Sequence, residues 1–287
     1  MNFSHSRSIP QSAREYGRGI AGGLMFSLPL LYTMEVWWTG FVLHPGRILL
    51  YILATFILLI LYNRFAGLRR DASIVEVAID SVEEMGIGVV IAAAILWITG
   101  RIDSGMDLSE ISGKITMEAM TVAIGVSVGT AQLGADDDGD EGLSGDDGRG
   151  SEGYLPQAAI ALCGAVLFAA NVAPTEEIQV IAMESRPGNL LLLALCSLAL
   201  GGLVLHFAEI QGHHLHVARD SFLASARGVI TTYAVALTAG AACLFFFGQF
   251  DGQPLRMILA QTIVIGVPAV LGASAGRLLL QVRPPGA

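Results

Sequence analysis

Long apolar runs separated by short polar stretches dominate the pattern along the chain. Runs near the ~20 residues that a bilayer-spanning helix needs recur about eight times. The sequence is therefore predicted to form an all-α, polytopic membrane protein. The predicted spans cover residues 17–43, 47–64, 78–99, 116–134, 155–183, 188–208, 228–248 and 256–276.

Composition supports a membrane location, since 53% of the residues are hydrophobic and only 14% are charged. Arg7, Arg14 and Arg18 lead into an apolar run that is too long for a cleaved signal peptide. The eight-span layout puts eleven basic residues in cytoplasmic segments and five outside. We therefore expect a multi-pass protein of the bacterial inner (plasma) membrane with both termini in the cytoplasm. The lipid bilayer is its expected partner, and the net charge of −9 argues against nucleic acid.

The two halves of the chain resemble each other. Laying the first two spans over the fifth and sixth aligns Thr33 and Glu35 with Thr175 and Glu177, and each T-x-E is followed ten residues later by Pro-Gly. The fourth span matches the eighth through TVAIGV and TIVIGV, and Gly100 matches Gly248. An even number of spans per unit gives the two units the same orientation, which predicts a 4+4 parallel internal repeat. The predicted divisions are a cytoplasmic tail (1–15), a first four-helix repeat (16–134), an acidic Gly-rich cytoplasmic linker (135–154), a second four-helix repeat (155–280) and a cytoplasmic tail (281–287).

Glu35 and Glu177 are acids inside otherwise apolar predicted spans. A carboxylate at membrane depth is costly unless it is paired, hydrated or neutralised, so it marks a functional site. The repeat predicts that the two acids lie at equal depth, where Thr33, Thr175 and Glu176 add oxygen ligands for a cation. Pro29 and Pro174 would free backbone carbonyls nearby, and because they do not align we expect an asymmetric break. In the alternative interpretation, these acids lie among lipid headgroups beside Trp37 and Trp38.

A second acidic group occupies the cytoplasmic end of the third predicted span. Asp80, Glu83 and Glu84 share one helical face and are candidates for an inner relay. The matching part of the seventh span has no acid there but carries Arg227, which is an alternative ion-pair partner for this face.

Other candidate chemistry is weak. The histidines at 206, 213, 214 and 216 are typical of a solvated loop, and the acidic linker does not meet the spacing of a calcium-binding loop. Cys163, Cys196 and Cys243 are expected to be buried apolar residues. The Gly-rich stretches GVSVGTAQLG and GVPAVLGASAG predict close helix packing. No enzyme or cofactor motif occurs, so we expect neither catalysis nor a cofactor.

The stretch NVAPTEEIQVIA, its partner YTMEVWW and the eight-span layout resemble an uncharacterised bacterial family of integral membrane proteins. The resemblance implies a polytopic helical fold over nearly the whole chain. It supplies no activity, substrate or site residues.

These observations favour a cation transporter or channel that uses paired intramembrane glutamates. The alternative is a non-transporting scaffold or sensor whose acids are structural, and an enzyme acting on lipid headgroups is a more distant third. The sequence leaves the ion and homo-oligomerisation open. If Glu35 and Glu177 share a cavity, cation binding should release protons, and replacing either acid by glutamine should abolish that linkage.

Overall fold

Ten helices build the part of the protein that the computed structural model describes, namely residues 9–67, 73–133, 154–212 and 222–281. The first five are α1 (Ile9–Leu31), α2 (Met34–Val42), α3 (Pro45–Ala66), α4 (Ile74–Ile98) and α5 (Leu108–Leu133). The last five are α6 (Tyr154–Ala170), α7 (Glu176–Glu184), α8 (Pro187–Gly212), α9 (Phe222–Phe246) and α10 (Leu255–Gln281). The predicted all-helical class is thus confirmed for these ranges, whereas most of the acidic linker and His213, His214 and His216 lie outside them. His206 was predicted in a loop but lies in α8.

Six of these helices are long and apolar enough to cross a membrane. They contain the segments Pro45–Ala66, Ile74–Ile98, Leu108–Ala131, Pro187–Leu205, Arg227–Phe246 and Leu255–Gly276. Their positions agree with six of the predicted spans. Large apolar side chains on α3 and α8 are exposed, including Leu49, Leu53, Leu191 and Leu195, as expected for surfaces that face lipid.

The first and fifth predicted spans are each divided into two helices, which confirms the break expected from Pro29 and Pro174. Only two residues separate α1 from α2, but five separate α6 from α7. A proline lies near each break, Pro29 in the last turn of α1 and Pro174 just before α7. Proline lacks a backbone N–H and crowds the preceding turn, which interrupts the helical hydrogen bonds.

The short helices α2 and α7 are alike. Each has nine residues and begins after a threonine N-cap, Thr33 or Thr175, in extended conformation. Each is followed after two residues by a helix that starts at a proline, Pro45 or Pro187. Proline suits this position because its missing N–H would have no partner in the first turn. The two breaks therefore differ only before the short helices, in the position of the proline and in the number of residues that separate α1 from α2 and α6 from α7.

Helices α4 and α9 also end in the same way. Gly100 and Gly248 have φ of 70° and 77°, the left-handed conformation that glycine adopts without steric cost. The next residue in each case, Arg101 or Gln249, donates its N–H to a carbonyl in the last turn of the helix. These caps turn the chain sharply into the loops before α5 and α10.

Helices α5 and α10 are central in their groups. The former packs against α1 to α4, and the latter against α6 to α9. Glycines allow close approach, since a Cβ on Gly22 of α1 would lie 2.3 Å from the Cα of Gly129 in α5. Likewise, a Cβ on Gly164 of α6 would lie 2.2 Å from the carbonyl oxygen of Gly272 in α10. The predicted close packing by the two Gly-rich stretches is confirmed.

The two groups meet mainly where α3 packs against α6. At one end of the bundle, Arg47 of α3 forms a bidentate ion pair with Asp251 in the α9–α10 loop, with N to O distances of 2.6 and 2.8 Å. We call this the ion-pair end. Cys163 and Cys243 are buried as expected, but Cys196 is exposed because α8 offers much of its surface to the outside of the bundle.

Candidate functional site

A buried polar cluster joins α3, α4 and α5 away from the ion-pair end. The Asn63 amide donates to the Glu84 carboxylate at 2.7 Å and to the Ser81 hydroxyl at 3.2 Å. Its carbonyl oxygen accepts from the Ser127 hydroxyl at 2.8 Å. We call these four residues the Asn63 network. Asn63, Ser81 and Ser127 are buried and Glu84 is half-buried.

The network lies toward the end of α3 and the start of α4, with Asn63 three residues before the last residue of α3. Glu84 is ten residues from the start of α4, about 15 Å along the helix axis at ~1.5 Å per residue. The buried polar atoms have partners: Ser81 itself donates to the carbonyl of Val77 at 2.8 Å. The carboxylate is therefore held in one position rather than left to rotate.

The other predicted relay residues lie toward the start of α4. Asp80 is half-buried and Glu83 is exposed, and both are close enough to Glu84 for like-charge repulsion. The Tyr16 hydroxyl of α1 donates to Glu83. Arg227 is exposed and makes no ion pair with Asp80, Glu83 or Glu84 in the described ranges, so this alternative neutralising pair does not form.

Glu35 and Thr33 lie at the start of α2. Glu35 is half-buried in the first turn, and its carboxylate has no hydrogen-bond or ion-pair partner among the described residues. The Thr33 hydroxyl donates to the carbonyl of Pro29 at 2.8 Å. The same carbonyl accepts the Tyr32 N–H at 3.3 Å, so its hydrogen-bond partners come from within the chain.

Glu176, Glu177 and Thr175 lie at the start of α7. Both acids are exposed, and neither has a side-chain partner within the described part of the chain. The Thr175 hydroxyl donates to Val172 at 2.8 Å. The carbonyl of Pro174 accepts from the Gln249 amide at 2.9 Å, so a neighbouring loop already occupies this oxygen.

Glu35 and Glu177 lie in different groups of helices. Helix α2 packs against α5, whereas α7 packs against α10 in the other group. No hydrogen bond or ion pair between described residues connects Glu35 with Glu177. In addition, no group of three or more histidine, cysteine or acidic side chains able to hold a metal ion occurs within the described residues.

A second buried acid, Glu118, was missed by the sequence analysis. It lies on α5 with an exposed fraction of 0%, and neither carboxylate oxygen has a hydrogen-bond partner in the described ranges. The sequence does indicate Glu118, because it is an acid in the apolar run ITMEAMTVAIGV and so meets the same criterion as Glu35. Asn63 and Ser127 gave a weaker signal, since neutral polar residues are common in helices.

Among the described residues outside the spans, Asp251 and Asp107 have pKa values below the ordinary range. The hydrogen bond from Arg47 holds the pKa of Asp251 below its ordinary value, and the adjacent positive charge adds to the effect. The Ser109 hydroxyl lowers the pKa of Asp107 at the start of α5. Both acids are therefore ionised at neutral pH and belong to the loops at the ion-pair end.

Comparison with known proteins identifies a membrane family. A family model described as "Putative integral membrane protein (DUF2391)" matches residues 15–280, nearly the whole chain. No curated protein and no solved structure matches.

Proposed function

Because the chain belongs to this family of integral membrane proteins, we propose that it is a transporter or channel for a small cation, with Glu84 as its central ligand. The observation that carries the proposal is the Glu84 carboxylate fixed by Asn63 at the junction of three apolar helices. Ionisable side chains at membrane depth typically mark ion or proton pathways.

The chemistry of the Asn63 network suits a hard cation. The Glu84 carboxylate, the Asn63 carbonyl and two serine hydroxyls supply oxygen atoms, which Na⁺, Ca²⁺ and similar ions prefer. Asp80 and Glu83 provide negative charge between the network and the N-terminal end of α4. On the other side, buried Tyr51 and Thr55 extend the polar face of α3 toward the ion-pair end.

We further propose that the chain crosses the membrane eight times as a 4+4 repeat. In this arrangement α1 with α2 and α6 with α7 are the broken first and fifth spans. Three pairs of features support the repeat: the threonine N-caps of α2 and α7, the glycine caps of α4 and α9, and the contacts Gly22–Gly129 and Gly164–Gly272.

The excess of basic residues in the predicted inner segments supports cytoplasmic termini in a bacterial inner membrane. The ion-pair end then faces outward, and Glu35 and Glu177 lie at the outer mouth, where they attract cations. On this proposal the protein is not an enzyme.

The test is ion flux in liposomes containing the purified protein. The parent should move at least one of H⁺, Na⁺, K⁺ and Ca²⁺ faster than empty liposomes. Glu84→Gln should reduce that flux at least tenfold, because glutamine keeps the shape of the side chain but removes the charge. Glu184→Gln is the matched control, since it makes the same change at an exposed acid that has no proposed role and no side-chain partner in the described ranges.

If the parent moves none of these ions, the proposal fails and the non-transporting scaffold or sensor takes its place. If flux is present but Glu84→Gln carries it at the parental rate, transport stands and the Asn63 network is structural.

A further inference from the structure

Glu118 has no role in the Asn63 network. It is fully buried on α5, about 15 Å along the helix axis from the first residue of α5 at ~1.5 Å per residue. Neither carboxylate oxygen accepts or donates a hydrogen bond within the described residues. An ionised carboxylate in such a place costs several kcal/mol, so the site must supply a proton or another positive charge.

No described basic side chain supplies that charge. Lys114 lies one turn away on the same helix, but its ammonium group is directed to Glu110 at 2.6 Å and to the carbonyl of Arg101 at 3.1 Å. Helix α4 approaches this part of α5 with Gly88, which has no titratable group. Helix α1 approaches α5 with Gly23 at Val122 and with Gly22 at Gly129, and glycine has no titratable group.

The remaining neighbours are aromatic. From α2, the Trp37 indole N–H lies beside the carboxylate, but neither group completes a hydrogen bond of normal geometry. From α3, Tyr51 is near, with its hydroxyl 2.9 Å from that of Thr121. The thiol of Cys243 on α9 lies beyond Tyr51. Of these polar groups, the Trp37 indole is a donor without a lone pair, and the Tyr51 hydroxyl is already paired with that of Thr121.

These surroundings decide between a proton and a metal cation. Ca²⁺ takes about 6–8 oxygen ligands, and the smaller Mg²⁺ also needs a full oxygen shell. An indole N–H cannot ligate a cation, because it is a donor only. A proton needs just one carboxylate oxygen, so the geometry suits a proton.

We propose that Glu118 is a proton-binding site, in which the carboxylic acid is neutral while α2 covers it and exchanges its proton with solvent when α2 moves away. The cover is a nine-residue helix with non-helical residues at both ends. Trp37 is held in place by the Arg101 guanidinium, 4.9 Å from its ring centre. This inference rests on the proposed function, because it takes the proton on Glu118 to be the transported or coupled ion.

Infrared spectroscopy detects the proton without any flux. The parent at neutral pH should show a carbonyl band of a protonated carboxylic acid that Glu118→Gln removes. Glu110→Gln, on the same helix, is the control and should leave this band in place, because Glu110 forms an ion pair with Lys114 at 2.6 Å and is not the buried acid. If the Gln variant is not recovered folded, Glu118→Asp keeps the acid and should shift the band.

Transfer to D₂O then tests exchange. The Glu118 band should shift as the acid proton is replaced by deuterium, and Trp37→Ala should speed that shift at least tenfold by opening the cover. A band that is unchanged in both Glu118 variants would overturn the proposal, and so would a band that never exchanges. Either result would leave the flux test of Glu84 unaffected, so failure of this site and failure of the proposed function are distinguishable.

Discussion

At the scale of single residues, the Arg47–Asp251 pair gives a prediction for pH dependence. The lowered pKa of Asp251 means that the folded protein favours its ionised form, so the pair stabilises the fold above the ordinary pKa of 3.8. This contribution is lost as the pH falls through the lowered pKa. Because the Asp251 side chain is 57% exposed, solvent screens the pair and we expect only ~0.2–1 kcal/mol at neutral pH.

Thermal unfolding in detergent measures this contribution. Asp251→Asn should lower the midpoint slightly at about pH 7, and the difference from the parent should shrink at an acidic pH below 3.8, as the pH approaches the lowered pKa of Asp251. Glu176→Gln, which removes an exposed acid, should have no effect at either pH. A difference between parent and Asp251→Asn that persisted undiminished at the acidic pH would contradict a role for the charge.

The sequence predicted where acids lie along the helices, but not which side chains from other helices contact them. Asp80, Glu83 and Glu84 were predicted to share one face of a helix, and they lie near one another on α4. That Glu84, rather than its neighbours, is held by Asn63 depends on how α3 packs against α4, which no local pattern encodes. Glu118 escaped notice although the same rule applied to it.

At the scale of helices, the glycine contacts predict which substitutions the packing tolerates. Gly22→Ala and Gly164→Ala would each put a methyl group against the backbone of the facing helix. Each should destabilise the fold by ~1–3 kcal/mol, as expected for overpacking. Gly86→Ala is the control, since its Cβ would meet nothing within 4 Å. It should be neutral or stabilising, by up to ~1 kcal/mol. Unfolding midpoints of the three variants in one detergent would check this, and equal effects would argue against the contacts.

The break between α6 and α7 gives a second prediction at this scale. Gln249→Leu removes the donor to the carbonyl of Pro174 and the acceptor for the Gln179 amide. Leaving such groups without partners costs ~1–3 kcal/mol, so the midpoint should fall. Gln253→Leu makes the same change in the same loop at a residue without a described side-chain hydrogen bond. It should unfold at nearly the parental temperature, whereas equal losses in both variants would point to a general effect on the loop.

Hydrophobic patterning predicted helix positions well because burial in lipid requires long apolar runs. Hydrophobic patterning alone does not show the breaks before α2 and α7, since these helices are themselves apolar and continue the run of the preceding helix. Pro29 and Pro174 predicted the breaks. The point at which α7 begins, five residues after α6 ends, depends on Gln249 and other contacts from distant parts of the chain.

At the scale of the whole molecule, the proposed topology predicts where fused reporters lie. A reporter fused after Ser185, between α7 and α8, should be periplasmic, and one fused at Gly145 in the acidic linker should be cytoplasmic. Enzymatic reporters that are active on only one side of the membrane make this measurement. The opposite pattern would invert the molecule and put the Asn63 network nearer the outer surface.

The central claim is that a cation passes Glu84, so the decisive measurement compares two sets of acids in one flux assay. Liposomes would carry the parent, Glu84→Gln, or the combined variant Glu35→Gln with Glu177→Gln. We predict that Glu84→Gln loses at least nine-tenths of the flux. The combined variant should keep most of it, because Glu177 is exposed and neither acid has a side-chain partner among the described residues. Loss of flux in the combined variant with normal flux in Glu84→Gln would contradict the account and place the ion site at the starts of α2 and α7.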